Sequence, residues 1–128
     1  MSTSCMIGLM DFDGKTIKKS TRINFDGYPD GALKTLNKYW TQSKMKYEKI
    51  EHELFDYGEI RSLGKSFGKS IIRSFGKSYD KNEYYIDLGE SKKEFPSFDN
   101  ILDFKNYAQV ENSEEFSYVY VPGIHSWL

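Results

Sequence analysis

The chain has 128 residues, of which 29% are charged and 16% aromatic, and its formal net charge is −1. This length predicts a single domain, spanning residues 1–128, that is large enough for a hydrophobic core. The sequence shows no apolar run of about 18 residues and no secretory signal. The single cysteine, Cys5, excludes an internal disulfide. These features predict a cytoplasmic protein without a membrane association.

The near-neutral total charge hides a strongly basic tetrapeptide-repeat segment at residues 61–81. A base recurs there at every fourth position, and each base except the last is followed by a serine. The six bases are Arg61, Lys65, Lys69, Arg73, Lys77 and Lys81. This segment carries a net +5, whereas residues 82–128 carry nine acids and three bases, a net −6. Either the acidic third folds over the basic segment and neutralises it, or the basic segment forms an open cationic surface.

Two strands joined by a hairpin turn are predicted at the N-terminus. The first covers Ser4–Met10, and Asp13-Gly14 supplies the turn. One face of the second strand would carry Ile17, Thr21, Ile23 and Phe25, and the other Lys18, Ser20, Arg22 and Asn24. Lys19 is the one residue that breaks this alternation, because it falls among the apolar positions.

Two helices are predicted after the turn at residues 26–31, whose sequence is DGYPDG. Asp30 is expected to cap the first helix, and Gly27 is expected to hold a positive φ angle after Asp26. Gly31, in the first helical turn, should accept alanine. The first helix would bury Leu33, Leu36 and Trp40, and the second would carry Tyr47, Ile50, Leu54 and Tyr57 on one stripe. Gly58 would end the second helix as its C′ residue.

The rest of the chain predicts a strand, a third helix and a final hairpin. The strand runs from Tyr84 to Leu88, and Pro96-Ser97 would open the helix. That helix would turn Phe98, Ile101, Leu102 and Ala108 inward. The last strand, Phe116–Val121, would turn at Pro122-Gly123 and pair with the final residues. This order predicts an α+β fold: a mostly antiparallel sheet with N- and C-terminal hairpins packed against about three helices.

Several of these runs resemble a family of small uncharacterised proteins from tailed phages and prophages. The family pattern is a strand, a DG turn, a second strand, and a DGYP turn before a helix, here Asp13-Gly14 and residues 26–31. The segment 58–64, GEIRSLG, and the aromatic C-terminal strand with Trp127 also look like this family. Asn24-Phe25 stand where the family usually has His-Trp, and Ser4-Cys5 stand where it usually has an Arg.

The basic segment is not part of the family pattern. The resemblance implies a phage accessory protein made in the cytoplasm of the infected bacterial host, and proteins of that kind often act against host defences.

The DGYP turn is the first candidate binding site. A helix N-terminus attracts anions, and Gly27 and Gly31 would let the backbone approach a phosphate. Arg22 and Asn24 lie on the strand that enters the turn, and Tyr28 could stack on a base. Further donors would come from the basic segment through Lys65, Lys69, Arg73 and Lys77. The alternative is that these residues only form the turn and begin the helix.

Catalytic and metal chemistry have little support in the sequence. The Gly-Lys-Ser tripeptides end like a P-loop, but Gly64 and Gly68 have three residues between them where that loop needs four. Cys5, His52 and His125 lack metal-ligand spacing, so no metal or cofactor is expected. The surviving enzymatic hypothesis is an N-terminal nucleophile at Ser2, exposed by removal of Met1; we favour a protein that is not an enzyme.

Three functions follow as hypotheses. The first is a counter-defence protein that sequesters a phosphate-bearing, nucleotide-type ligand. The second is an inhibitor that docks directly on a host defence complex, in the manner of an anti-CRISPR protein, through an acidic surface within residues 82–128. The third is nucleic-acid binding through residues 61–81, against which the net −6 of the C-terminal third argues. The oligomeric state is left open.

Overall fold

The computed structural model describes residues 3–64, 85–89 and 94–128, and in these the chain forms one sheet with helices on both faces. The strands are β1 (Cys5–Met10), β2 (Ile17–Ile23), β3 (Ile60–Gly64), β4 (Tyr85–Leu88), β5 (Phe116–Val121) and β6 (Ser126–Trp127). The helices are α1 (Lys34–Tyr39), α2 (Tyr47–Phe55) and α3 (Ile101–Asn106). A π-turn, Pro29–Leu33, precedes α1, and a second, Tyr107–Glu111, continues α3.

The α+β class is confirmed, but the expectation of a mostly antiparallel sheet is wrong. The strand order is β4-β3-β2-β1-β5-β6. Three neighbouring pairs are antiparallel, and the pairs β1–β5 and β2–β3 are parallel. The physical reason is that neighbouring strands joined by a long helical crossover, rather than by a short hairpin turn, can run in the same direction. Because α1 and α2 connect β2 to β3, those two strands run in the same direction.

The central strand β1 is buried on both faces, and each face has its own core. Cys5, Ile7 and Leu9 pack with the side chains of α1 and α2. Met6 and Met10, on the other face, pack with α3. Every residue of β1 is buried, so the sheet is the middle layer of three.

The breach at Lys19 corresponds to a β-bulge. Leu9 pairs with Lys19, but the next residue, Met10, pairs with Ile17, so Lys18 is an extra residue in β2. The bulge moves Ile17 to the α3 core, whereas Ile23 lies in the α1–α2 core. Placing Ile17 and Ile23 on one face was therefore wrong, because an inserted residue reverses the alternation of side chains.

Several predicted helix ends lie elsewhere. Asp30 does not cap the first helix, because the π-turn begins at Pro29, with Tyr28 in the cap position and no side-chain cap. Gly58 does hold a positive φ of 96°, but it lies two residues beyond Asp56, the C-cap of α2. The predicted start of the third helix at Pro96-Ser97 is also wrong.

The third helix is capped by Asn100, whose side chain accepts a hydrogen bond from Asp103 N at 2.8 Å. The segment before it is extended, and Phe98 exchanges two backbone hydrogen bonds of 2.9 Å with Ile17. Ala108 is buried as predicted, but Leu102 is 67% exposed. The buried aromatic of this helix is Phe104. No helix in the described residues is long and apolar enough to cross a membrane.

The glycines of the DGYP turn are required by close packing. A Cβ atom on Gly27 would lie 2.5 Å from the carbonyl carbon of Ser4, and one on Gly31 would lie 2.4 Å from the carbonyl oxygen of Asp26. The positive φ of the turn, 61°, belongs to Asp26 and not to Gly27. Both glycines thus let the turn pack against its own backbone and against the N-terminal segment.

We therefore predict that Gly27→Ala and Gly31→Ala each lower the free energy of unfolding by about 1 to 3 kcal/mol, because backbone atoms cannot move aside cheaply. Urea denaturation measures this loss. Gly123→Ala is the control, since no atom lies within 4 Å of the Cβ it would add. Unchanged stability of both variants would contradict the steric role.

Candidate functional site

The DGYP end of the sheet holds a partly buried ion pair. Arg22 Nε donates to Glu114 Oε2 at 2.6 Å, and the Glu114 side chain is only 3% exposed. The remaining guanidinium nitrogens donate to Ser4 Oγ at 3.1 Å and to Asn24 Oδ1 at 3.2 Å. Ser4 in turn donates to Glu114 Oε1. Arg22 thus ties β2 to the N-terminal segment and to the loop before β5.

The amide groups of the turn also have partners within the fold. Gly27 N donates to Thr3 O at 2.7 Å and Gly31 N to Tyr28 O at 2.9 Å. Ala32 N donates to Asp26 O at 2.7 Å. Because these N–H groups already donate to backbone carbonyls, the turn has fewer free donors for an anion than the sequence implies. This finding favours the alternative that the turn is structural.

Two aromatic side chains of this end are exposed to solvent. Phe25 and Tyr28 are each 42% exposed, and the Tyr28 hydroxyl lies 3.4 Å from Asp26 Oδ1. Phe25 N donates to Arg61 O at 3.0 Å, so the first base of the basic segment borders this end. The predicted site residues Lys65, Lys69, Arg73 and Lys77 lie outside the described residues. This site remains a prediction.

A second group of polar residues lines a groove of about 440 Å³ beside β2. Its two cations are paired: Lys18 lies 3.3 Å from Glu51, and Lys19 lies 3.0 Å from Glu51 and 2.7 Å from Asp56. Partial burial alone would lower the pKa of Lys19, but the hydrogen bonds to these two carboxylates outweigh it and raise the pKa. Such neutralised lysines are poor anion ligands.

A third region, at the opposite end of the sheet from the DGYP turn, is an open cleft of about 560 Å³. It is bordered by the β1–β2 hairpin, the α1–α2 connection and the turn after β5. Its lining consists of Phe12, Gln42, Ser43, Lys44, Met45, Lys46, Tyr47, Glu48 and His125. We call this region the Phe12 cleft.

The Phe12 cleft has an aromatic wall. Phe12 is 63% exposed, and its ring centroid lies 4.3 Å from that of Tyr47 at an angle of 45°. Tyr47 is fixed by a hydrogen bond of 2.6 Å from its hydroxyl to Met10 O, and burial raises the pKa of this phenol. The anchored Tyr47 ring therefore supports Phe12 in an exposed position, where a flat ligand can stack on it.

The cleft also has a cationic rim. Lys44 and Lys46 are exposed, and no ion pair between described residues includes either of them. One carboxylate, that of Glu48, lies among the lining residues. Unlike the lysines of the groove beside β2, these two lysines have no ion-pair partner among the described residues.

The connection that presents these lysines is held in place by hydrogen bonds. Lys44 N and Met45 N donate to Thr41 O at 2.8 and 3.0 Å. Gln42 N donates to the Tyr120 hydroxyl at 2.8 Å, which in turn donates to Gln42 Oε1 at 3.0 Å. The α1–α2 connection, which borders the cleft, is thus anchored to β5.

The sequence did not predict the Phe12 cleft, although one residue in it, Phe12, is unusual for its position. Phe12 is a large aromatic inside the hairpin turn DFDG, a position that a turn does not require to be apolar. Lys44 and Lys46 gave no signal, because two lysines in a helix connection are ordinary. Only the fold places Phe12 beside them.

Catalytic chemistry gains no clear centre. No group of three or more metal-ligating side chains occurs among the described residues, and Ser2 lies outside them. No protein-family model, curated protein or solved structure matches this chain. The resemblance to the phage family therefore remains a prediction, and what the protein binds must be argued from its own residues.

The role of Arg22 leads to a second prediction. Arg22→Ala should lower the free energy of unfolding by about 2 to 4 kcal/mol, because it leaves the buried carboxylate of Glu114 without its cation. Thermal and urea denaturation measure the loss, with Lys34→Ala on the exposed side of α1 as control. Equal stability of the two variants would show that the ion pair contributes nothing.

Proposed function

We propose that the protein binds a phosphate-bearing, nucleotide-type ligand in the Phe12 cleft and holds it away from its receptor. The observation that carries the proposal is the combination in one cleft of an exposed, supported aromatic ring and two cations without an ion-pair partner among the described residues. The sequestering role follows from the resemblance of the DGYP segment to phage accessory proteins. The ligand class is the one predicted from the sequence, but the proposed site is the Phe12 cleft and not the DGYP turn with the basic segment.

The size of the cleft supports this ligand class. The cleft is an open depression of about 560 Å³, which leaves room for a nucleotide to lie along its wall. A base could stack on Phe12, since every base has a flat π face and stacking tolerates different sequences. The phosphates would face Lys44 and Lys46, which bind them as mobile point charges.

The charge of the cleft supports a compact ligand over a long nucleic acid. Glu48 lies beside the two lysines, and the carboxylates of Asp11 and Glu51 are close enough to act on Tyr47. A polyanion that extended beyond the lysines would meet these acids. A ligand with one or two phosphates can avoid them.

The test is isothermal titration with a panel of mononucleotides, dinucleotides and cyclic dinucleotides. For the nucleotide that binds, Phe12→Ala should weaken affinity about 5- to 150-fold, because stacking contributes about 1 to 3 kcal/mol per base. The double variant Lys44→Ala/Lys46→Ala should weaken nucleotide affinity more at low salt than at high salt, because salt screens the attraction between lysines and phosphates. Because Phe12 is exposed, its replacement should leave the fold intact.

Phe25→Ala and Tyr28→Ala are the matched controls, since both remove an exposed aromatic at the opposite end of the sheet. We expect both to bind as the unaltered protein does. If these two variants lose binding while Phe12→Ala keeps it, the ligand lies at the DGYP end and the proposed site is wrong. Absence of binding by every nucleotide would reject the ligand class.

A further inference from the structure

The outer side of α3 and of the π-turn after it exposes two large apolar side chains. Leu102 is 67% exposed and Val110 is 71% exposed. Asn106, also exposed, lies four residues from each of them. The i→i+5 bonds of the π-turn advance the chain by a smaller angle per residue than an α-helix does, which brings Val110 back toward the line of Leu102. We call this surface the α3 face.

Exposed carboxylates are frequent in the segment that carries the α3 face. The exposed acids in and beside the helix are Asp99, Asp103, Glu111 and Glu115. None of them takes part in the ion pairs formed between described residues. Within residues 94–115 the sequence contains one base, Lys105. The negative charge of this face therefore has little compensation from its own segment.

Lys105 does not supply that compensation, because its ammonium group is turned inward. Lys105 Nζ donates to Ser117 O at 2.6 Å and to Ser117 Oγ at 3.1 Å. Lys105 is half-buried, and this burial lowers the pKa of its ammonium group. The outer surface thus combines apolar side chains with charge of a single sign.

We propose that the α3 face docks on a basic protein surface with an apolar pocket at its centre, the kind of surface that binds a nucleic-acid backbone. Complementary charge steers such partners together, and the few residues that contribute most of an interface's affinity lie near its desolvated centre, which is the position that Leu102 and Val110 would take. Nucleic acids and anionic membranes carry the wrong charge for this face. The proposal is independent of the Phe12 cleft, since α3 and α2 cover opposite faces of the sheet.

The test uses two synthetic peptide probes. One is an amphipathic helix of lysine and leucine, and the other has the same charge with serine in place of each leucine. Fluorescence anisotropy at moderate salt gives their affinities for the whole chain. We expect the leucine peptide to bind at least about tenfold more tightly than the serine peptide. Amide shifts in NMR spectra should lie within residues 99–111.

Variants assign this preference to the α3 face. Leu102→Ser/Val110→Ser should reduce the difference between the two peptides to less than about twofold, with an unchanged melting temperature. The double variant Asp103→Lys/Glu111→Lys should weaken the binding of both peptides, because it reverses the charge at two positions of the α3 face. Phe25→Ser, which removes an exposed aromatic elsewhere, is the control and should change neither affinity.

Three results would overturn the proposal. Equal affinity for the two peptides would mean that charge alone attracts them and that no apolar docking site exists. Unchanged selectivity of Leu102→Ser/Val110→Ser would place the apolar contact elsewhere, as would amide shifts outside residues 99–111.

Discussion

The fold depends on the burial of β1 on both of its faces. Its odd-numbered side chains complete one core with α1 and α2, and its even-numbered side chains complete the other with α3. Because both faces of the sheet are covered, ligand-sized openings form at the ends of the strands and along their edges. The Phe12 cleft lies at one end of the strands, and the DGYP turn lies at the other.

The ion pair between Arg22 and Glu114 changes how the DGYP segment is interpreted. Arginine on a strand that leads into a glycine-containing turn is typical of phosphate recognition. Here its Nε atom binds a buried carboxylate, and the turn amides bind backbone carbonyls. The same residues that look like a binding site join three distant parts of the chain. Folding therefore accounts for Arg22 and for the two glycines of this turn, and the binding role of the DGYP segment stays a prediction.

The sequence predicted elements better than their arrangement. Alternating and helical patterns located β1, β2, α1, α2 and β5, because each buries one stripe or face. The parallel pairs were not predicted, although two signals were present: β1 is a continuous apolar run, typical of a strand buried on both faces, and two helices separate β2 from β3. The exception at Lys19 marked the bulge, but its effect on Ile17 required the pairing with Met10. At the proposed site, Phe12 stood out in the sequence only as an aromatic residue within a turn, and Lys44 and Lys46 drew attention only because the fold places them in the same cleft.

Native mass spectrometry of the protein, purified gently from cells that contain nucleotide signals, tests the central claim most directly. The account predicts a population whose excess mass matches a phosphate-bearing small molecule. That population should be lost in Phe12→Ala and retained in Phe25→Ala. An excess mass retained by Phe12→Ala, or a protein of bare polypeptide mass in every preparation, would contradict capture of a nucleotide in the Phe12 cleft.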